Sequence, residues 1–196
     1  MPHRVTELHS IMPISNIPSV LQHGILCHER AAKLLHASVA LAEIQDRRDI
    51  KRVPGGLKLH QYANLYFCAR NPMLFRRKDE AASLCVLRID RHLLTLPDVV
   101  LTDQNAASDY VRFLKSPEGL RELNYDLIYA TYWTNNDDPF DYWRRKSTKC
   151  AEVLVPHQVS EQFIVGAYVL NAAVEANLRA VGFNRPIIIN PNFFFF

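Results

Sequence analysis

"AEIQDRRDIKRVPGGLKLHQYANLYFCARNPMLF", residues 42–75, is the stretch that decides the fold. Its first part carries charges of both signs and runs into a proline and a double glycine, a combination that ends a helix and lets the chain reverse. The run "ANLYFCA", residues 63–69, is rich in aromatic residues and predicts a buried strand. "NPMLF" then predicts a turn into a short helical segment. A charged helix end is therefore expected to lead directly into the sheet.

The rest of the chain predicts an α+β fold in one domain, residues 1–196. "ELHSIMPISNI" has the alternation of a short strand, and "SNIPSVLQHGI" predicts a helix that Asn16 or Ser15 caps and Gly24 ends. Residues 31–50 predict a helix that is broken in the middle. Because strands and helices do not simply alternate, a doubly wound sheet is disfavoured. About six strands are expected in all. Besides those in "ELHSIMPISNI" and at residues 63–69, strands are predicted at residues 83–90, 98–103, 150–157, 164–170 and in "RPIIINPNFFFF". Helices are expected at residues 106–114 and in "AAVEANLRAVGF".

The composition is that of a globular protein with a mildly basic charge. Of the 196 residues 48% are hydrophobic and 22% charged, and the net charge of +3 permits a nucleic-acid partner without requiring one. No apolar run reaches the length of about 18 residues that a membrane span needs, and the N-terminus lacks the apolar core of a signal peptide. We therefore expect a cytoplasmic protein that does not enter a membrane, with a C-terminal Phe run that belongs to the core.

Cysteine and histidine usage argues against a metal site. The four cysteines form no C-x-x-C pair, and the eight histidines show neither H-x-x-x-H nor H-E-x-x-H. The chain also has no G-x-G-x-x-G and no Walker A motif. We therefore expect buried, reduced thiols, no metal ion and no nucleotide fold of those two kinds.

Four charged side chains lie where either a structural or a chemical role is open. Glu152 lies among apolar residues in "KCAEVLV", so it is either an edge-strand carboxylate facing water or a partly buried carboxylate with a task. Arg47 and Arg48 either form a solvated helix end or turn one guanidinium inward to hold a phosphate or carboxylate. Arg70 follows the buried strand, where it either caps carbonyl groups or supports a ligand or Glu152.

A segment before Glu152 interleaves aromatic and basic residues. "DDPFDYWRRKSTK", residues 137–149, offers aromatic faces for stacking on bases and cations for phosphates, the combination that holds single-stranded nucleic acid. The alternative is a surface loop with buried aromatics and solvated charges. The candidates for nucleic-acid binding are Tyr142, Trp143, Arg144, Arg145 and Lys149.

Taken together, these segments resemble a known family. "SNIPSVLQHGIL", residues 42–75, "VVLTD", "ATYW" and "KCAEVLV" follow one another in the order found in the DarT family of bacterial toxins, which are DNA ADP-ribosyltransferases. The resemblance extends over nearly the whole chain, and residues 42–75 are its most specific part. It implies an ADP-ribosyltransferase fold with a split central sheet and flanking helices, and a toxin that transfers ADP-ribose from NAD to a base in single-stranded DNA.

The resemblance also implies roles for individual residues. Glu152 matches the catalytic glutamate of the family and Arg48 its catalytic arginine, which would also contact NAD. Residues 30–49 match the element that covers NAD, and residues 103–152 match the region that presents the nucleic acid. Further NAD contacts are implied for Ser10, Ile11, Met12, Ser19 and Cys27.

The chain departs from the family near the expected base. Thymidine-modifying relatives tend to carry H-I-T-H on the first strand, where this chain has "SIMP", residues 10–13. This difference and the aromatic–basic segment favour guanine slightly over thymine as the target.

The family implies an antitoxin partner, a macrodomain protein or another ADP-ribosyl hydrolase. Two other hypotheses remain open on the sequence. One is a single-stranded nucleic-acid-binding module without chemistry, and the other is a transferase that acts on RNA or protein.

Overall fold

Ten strands are present in the computed structural model, which describes residues 4–38, 42–134 and 138–195. Eight of them form one sheet and two form a small separate ribbon. Their bounds are β1 Glu7–Pro13, β2 Ile25–Leu26, β3 Tyr62–Tyr66, β4 Leu84–Asp90, β5 Val100–Thr102, β6 Phe113–Lys115, β7 Glu152–Pro156, β8 Gln158–Val159, β9 Ile164–Val169 and β10 Ile187–Ile189.

Short helices connect these strands. The α-helices are α1 Ile17–His23, α2 His28–Ala31, α3 Ala42–Asp49, α4 Pro72–Arg76, α5 Tyr125–Ile128, α6 Pro139–Thr148 and α7 Ala172–Ala180. Single 3₁₀ turns occur at Ile14–Asn16, Leu59–Gln61, Lys78–Ser83, Arg91–Thr95, Glu118–Glu122, Glu161–Phe163 and Pro191–Phe193. Within the described ranges, no helix combines the length and the apolar character needed to cross a membrane.

The large sheet is split between two of its central strands. Its order is β10-β9-β4-β1-β3-β7-β5-β6, and every pair is antiparallel except β9 with β10. β1 pairs with β4 along its whole length but meets β3 at one residue pair, His9 opposite Tyr66. Beyond that pair β1 and β3 diverge, so the sheet opens between them as the ADP-ribosyltransferase resemblance implies.

Apolar side chains cover the sheet. The main core includes Leu8, Leu65, Phe67, Leu87 and Val153, all fully buried. A second cluster includes the C-terminal Phe194, which is 2% exposed. The expectation that the Phe run belongs to the core is confirmed for the described residues, since Phe196 lies outside them.

Two element predictions are wrong. Residues 106–114 form turns and the start of β6 rather than a helix, because side-chain oxygens of Asp103 and Ser108 bind the backbone N–H groups of Arg112 and Tyr110. The aromatic–basic segment, read as a loop, is instead α6. Its start is explained by Asp138, whose carboxylate accepts the Phe140 N–H.

Other sequence expectations agree with the structure, wholly or in part. Gly24 ends α1 with φ of 75°, and Gly182 follows α7 with φ of 95°. The helix expected over residues 31–50 agrees only in part: α3 occupies its second half, but residues 32–38 form a turn and irregular chain after α2, and residues 39–41 lie outside the described ranges. The four cysteines are free, and three are buried while Cys68 is partly exposed. The prediction of one domain over residues 1–196 stays a prediction.

A partly buried polar network joins β1, β4 and β9. Glu7 accepts hydrogen bonds from Arg88 at 2.8 Å and Tyr168 at 2.7 Å, and it lies 3.1 Å from His9 Nε2. Burial tends to raise the pKa of Glu7, but the hydrogen bonds from His9, Tyr168 and Arg88 outweigh it and lower that pKa to about 2.

We expect Glu7→Gln to remove a pH-dependent part of the stability. A carboxyl with a depressed pKa stabilises the fold above its unfolded value near 4.5, and this stabilisation is lost as the pH falls toward 2. The variant should lose on the order of 2–3 kcal/mol at pH 7, and the difference from wild type should fall to about half or less at pH 3 and disappear only below about pH 2. Denaturant unfolding at pH 7 and pH 3 measures this. Glu118→Gln, an exposed carboxyl, is the control, and an equal effect of the two variants would contradict the prediction.

Candidate active site

A cavity of about 960 Å³ opens where the sheet is split. Residues 10–13 of β1 form one wall, and Tyr62, Asn64 and Tyr66 of β3 form another. α1, α3 and α6 contribute the remaining sides. Of the residues implied as NAD contacts, the cavity is lined by Ser10, Ile11, Met12, Ser19 and Arg48.

The decisive pair of the site is Arg48 with Glu152. The Arg48 guanidinium nitrogen lies 3.2 Å from one carboxylate oxygen of Glu152 and 3.0 Å from the other. Arg48 is 6% exposed and Glu152 is fully buried. Arg48 lines the cavity and Glu152 lies directly behind it, so the arginine separates the carboxylate from the open space.

The position of Glu152 in the sheet excludes the reading of a solvated edge carboxylate. β7 is paired on both sides, with β3 and with β5, so its first residue is held by two neighbours. The Glu152 backbone N–H donates to the Thr102 hydroxyl at 2.9 Å, and its carboxylate accepts the Ala106 N–H at 3.0 Å. The carboxylate is therefore buried, paired with a cation and fixed by a backbone donor, as a buried charge requires.

Arg47 and Arg48 face opposite environments. Arg48 is the buried one, while Arg47 is exposed and lies at the edge of the cavity. The reading in which one guanidinium turns inward to a carboxylate is confirmed. Arg70 follows the structural alternative, since it donates to the carbonyl groups of Thr131 and Asn192 and lies 4.2 Å from the centre of the Phe195 ring.

Neighbouring titratable groups are held neutral. Burial, and after it the charge of Glu152, raises the pKa of the Tyr66 phenol. Burial and then the Glu152 charge likewise raise the pKa of the Cys150 thiol to about 12. A cysteine nucleophile needs a thiolate, so Cys150 is a poor candidate and Glu152 is the anion of the site.

The segment before α3 is fastened next to the cavity. Asn16 exchanges two hydrogen bonds with the backbone of Ala37, at 2.7 Å and 2.9 Å. Glu43, Ile44 and Arg47 of α3 line the cavity beside Arg48. α3 therefore forms one side of the cavity, at the place where the resemblance implies an element that covers NAD.

Exposed aromatic side chains surround the outer part of the cavity. Phe140 is 87% exposed, Trp143 62% and Tyr110 87%, and all three line the cavity. Lys146 lies with its ammonium group 4.6 Å from the centre of the Trp143 ring. Large exposed rings near one opening are typical of an interaction surface.

The other predicted nucleic-acid residues are placed differently. Arg144 lines the cavity and forms an ion pair with Asp141. Arg145 is partly buried and forms an ion pair with the same carboxylate. Tyr142 is partly exposed and packs edge-on against Trp143. The structure therefore brings Trp143 and Arg144 to the cavity and leaves Tyr142 and Arg145 beside it.

Two residue predictions do not agree with the structure. Lys149 is 2% exposed, and its ammonium donates to the Ile128 carbonyl at 2.8 Å and contacts the Cys68 Sγ at 3.3 Å. Burial also lowers the pKa of Lys149, so it is not a phosphate ligand. Cys27 is 1% exposed and does not line this cavity; it lines a second one of about 910 Å³, which adjoins the first at His28, Gln45 and His60.

Sequence reasoning missed several residues of the site. Tyr110 was placed in an expected helix, and Thr102 and Ala106 become partners of Glu152 only through pairing of distant segments. His60 lines both cavities, and its Nε2 is the one buried side-chain nitrogen or oxygen in the described ranges without a hydrogen bond. Burial, with the charges of His28 and Arg48, lowers the pKa of His60.

The chain matches the model of a protein family described as "ssDNA thymidine ADP-ribosyltransferase, DarT" over residues 9–195. The chain belongs to the DarT family. Within the described residues, no group of three or more histidine, cysteine, aspartate or glutamate side chains is arranged to hold a metal ion. The paired Arg48 and Glu152 thus lie on a DarT scaffold.

Two curated DarT relatives are similar in sequence. A DNA ADP-ribosyl transferase–DNA ADP-ribosyl glycohydrolase fusion protein of Thermosipho africanus is 31% identical over 98% of this chain and 50% of its own length. A DNA ADP-ribosyl transferase of Thermus sp. 2.9 is 32% identical over 76% of this chain and 74% of its own. The chain therefore spans about half of the fusion relative and most of the other.

Solved DarT structures share the fold. Thermus sp. 2.9 DarT in complex with ADP-ribosylated ssDNA has a TM-score of 0.85 and 26% identity, with 97% of each chain covered. Thermus sp. 2.9 DarT in complex with NAD⁺ has a TM-score of 0.79 and 24% identity, covering 97% of this chain and 98% of that one. The predictions of DarT membership and of an α+β ADP-ribosyltransferase fold are confirmed.

Proposed function

We propose that this DarT protein transfers ADP-ribose from NAD to a guanine base in single-stranded DNA, with Glu152 and Arg48 as its catalytic residues. The observation that carries the proposal is the buried Arg48–Glu152 pair beside a cavity in the split of the sheet. The cavity volume of about 960 Å³ suits a dinucleotide, since ligand pockets range over roughly 300–1,000 Å³.

The reaction breaks the bond between nicotinamide and the ribose anomeric carbon, and a base nitrogen forms the new bond. Its transition state resembles an oxocarbenium ion, as in glycoside cleavage. Glu152 supplies the negative charge that stabilises this cation and accepts the proton that the base loses. Its place on a strand paired on both sides suits this role, because small displacements of a catalytic group are costly.

Arg48 acts by position and charge. The arginine guanidinium remains protonated in proteins, so it is a poor proton acceptor. In the described arrangement it covers Glu152, and substrate binding must shift the guanidinium enough for the carboxylate to reach the ribose. Arg48 then orients the NAD phosphates or the incoming base while it stays close to Glu152.

The proposed NAD contacts are Ser10, Ile11, Met12 and Ser19, which line the same cavity as Arg48. Backbone groups of β1 beyond His9 have no β3 partner, because the two strands diverge after His9 and Tyr66. These groups are available to the nicotinamide amide. Cys27 is left out of the proposal because it lines the second cavity.

The DNA is proposed to be single-stranded, since a paired base hides its reactive edge unless it is flipped out. Phe140 and Trp143 of α6 offer stacking faces, and Arg144 offers a charge for a phosphate.

We expect Phe140→Ala and Trp143→Ala each to weaken DNA use without affecting NAD. Loss of one stacking partner costs about 1–3 kcal/mol per base, so KM for an oligonucleotide should rise on the order of tenfold or more. KM for NAD should stay unchanged. Steady-state kinetics with either substrate varied provide the measurement. Tyr132→Ala, an exposed aromatic that does not line the cavity, is the control; equal effects of all three variants would exclude a specific stacking role.

The target base is the finer part of the proposal. Residues 10–13 all line the cavity, so the departure from the H-I-T-H of thymidine-modifying relatives lies in the proposed site, and we take that departure as support for guanine. Single-stranded DNA with one guanine or one thymine in an otherwise unreactive sequence, RNA of the same sequence and a protein extract are incubated with labelled NAD. Label on the guanine DNA supports the proposal. Label on thymine DNA alone overturns the choice of base, and label on RNA or protein alone overturns DNA as the substrate.

A modified genome would harm the host, so we also propose that the protein is a toxin with an ADP-ribosyl hydrolase as its antitoxin. The Thermosipho africanus relative is a transferase–glycohydrolase fusion, which supports a partner of this chemistry. The proposal requires that expression of this chain arrests growth and that co-expression of a DNA ADP-ribosyl glycohydrolase relieves the arrest. If a catalytically inactive glycohydrolase relieves the arrest equally well, the antitoxin does not act by removing ADP-ribose from DNA.

A further inference from the structure

Lys51, three residues beyond Arg48, makes several polar contacts but has no role in the reaction as proposed above. Its ammonium donates to the Ala107 carbonyl at 3.0 Å and to the Ser108 carbonyl, and it lies 3.1 Å from a carboxylate oxygen of Asp109. The side chain is 22% exposed. Three partners on one short segment fix that segment to the end of α3.

The segment held by Lys51, residues 105–109, reaches the catalytic carboxylate. Its Ala106 N–H donates to Glu152 at 3.0 Å, on the same carboxylate oxygen that lies 3.2 Å from Arg48. The Asn105 N–H donates to the Ser147 carbonyl on α6. Residues 105–109 therefore connect α3, α6 and Glu152.

Lys51 ties the carbonyl groups of this segment to the chain just beyond α3, while the Asn105 and Ala106 N–H groups hold its other side and short-range hydrogen bonds link residues 104–110. The segment contains no regular strand or helix, and it follows β5, which is three residues long. Ala106 and Ala107 are buried, but their side chains are too small to anchor a loop by packing. Charge-assisted hydrogen bonds to carbonyl oxygens are among the stronger polar contacts.

We infer that Lys51 is a positioning residue, which holds residues 105–109 so that the Ala106 N–H keeps the Glu152 carboxylate oriented toward the ribose. The inference rests on the proposed role of Glu152. Glu152 is then held from two sides. Arg48 of α3 contacts its carboxylate directly, and Lys51 acts on it through residues 105–109.

Lys51→Met removes the ammonium and keeps the length of the side chain. We expect kcat for DNA ADP-ribosylation to fall on the order of 10- to 100-fold, since a displacement of about 1 Å at a catalytic group is enough for that loss. Lys51 itself does not line the large cavity, but Asn105, Ala107 and Ser108 of the segment that it holds do, so we expect KM for NAD to change less than kcat rather than to stay constant. Lys51→Arg, which retains the charge and the donors, should recover most of the rate.

Amide hydrogen exchange measures the loop independently of activity. In Lys51→Met the Ala106 amide should exchange faster, while the amides of β7 beyond Glu152 should keep the wild-type rate. Arg52→Met is the matched control, an exposed neighbouring cation that donates to the Gly56 carbonyl, and it should change neither readout.

The outcomes separate this inference from the proposed function. If wild-type protein does not modify DNA, the proposed function fails, while the exchange result still tests how Lys51 holds residues 105–109. If wild type is active and Lys51→Met has an unchanged kcat and an unchanged Ala106 exchange rate, the inference is overturned. It is also overturned if kcat falls only together with the melting temperature and Lys51→Arg gives no recovery, because a structural role then accounts for the loss.

Discussion

Glu152→Gln is expected to lower kcat for DNA ADP-ribosylation on the order of 10³-fold and to leave the fold intact. The amide has the shape of the carboxylate and still accepts the Ala106 N–H, but it has no negative charge for the ribose cation. Loss of an interaction made only in the transition state lowers kcat and kcat/KM by similar factors. KM for NAD should therefore change little.

The measurement is nicotinamide release and oligonucleotide modification under saturating NAD. Glu175→Gln, a substitution of the same kind on α7, should retain the wild-type rate. Residual activity of Glu152→Gln within tenfold of wild type, in a protein with wild-type secondary structure, would place the catalytic charge elsewhere.

The double variant Arg48→Met/Glu152→Leu is expected to be inactive and yet nearly as stable as wild type. Each single substitution leaves a buried charge without its partner and should cost about 3–5 kcal/mol. Apolar residues of similar volume in both places remove both charges together, which is often neutral or stabilising. The Ala106 N–H then lacks its acceptor, which costs about 1–3 kcal/mol and limits the recovery.

Denaturant unfolding of the wild type, both single variants and the double variant gives the coupling free energy. We expect the double variant to recover most of the loss that the two single variants show when added together. Additive losses would mean that Arg48 and Glu152 do not compensate each other in the folded state. A site that is retained at a cost in stability is one whose charges serve the reaction.

Local sequence patterns were sufficient to single out Glu152 and the Arg47–Arg48 pair as candidates, and the family resemblance then selected Arg48. A carboxylate among the apolar residues of β7 and an arginine at the end of α3 each needed a partner, and the structure joins them at 3.0 Å. The residues on the divergent half of β1 were placed through the family resemblance, and they line the cavity together. A buried charged residue can be predicted from a single sequence when the residues on either side of it are apolar, because they indicate that the segment is buried.

Contacts between distant segments were not predictable in this way. The Ala106 N–H is 46 positions from Glu152, and the Lys51 contacts cross 56 and 57 positions. Lys149 looks like one more surface cation, but the carbonyl of Ile128 that it serves comes from α5. α6 was not predicted, because the aromatic and basic residues of its segment are interleaved and do not form the apolar stripe by which a helix is recognised in a sequence.

The most direct measurement is a crystal structure of the protein with carba-NAD⁺, because a second cavity of similar volume adjoins the one beside Arg48. The account predicts the dinucleotide in the larger one, with its nicotinamide against residues 10–12 and the anomeric carbon of its nicotinamide ribose beside Arg48 and Glu152. A dinucleotide in the smaller cavity beside Arg30 and Lys33, with Glu152 still closed off behind Arg48, would contradict it.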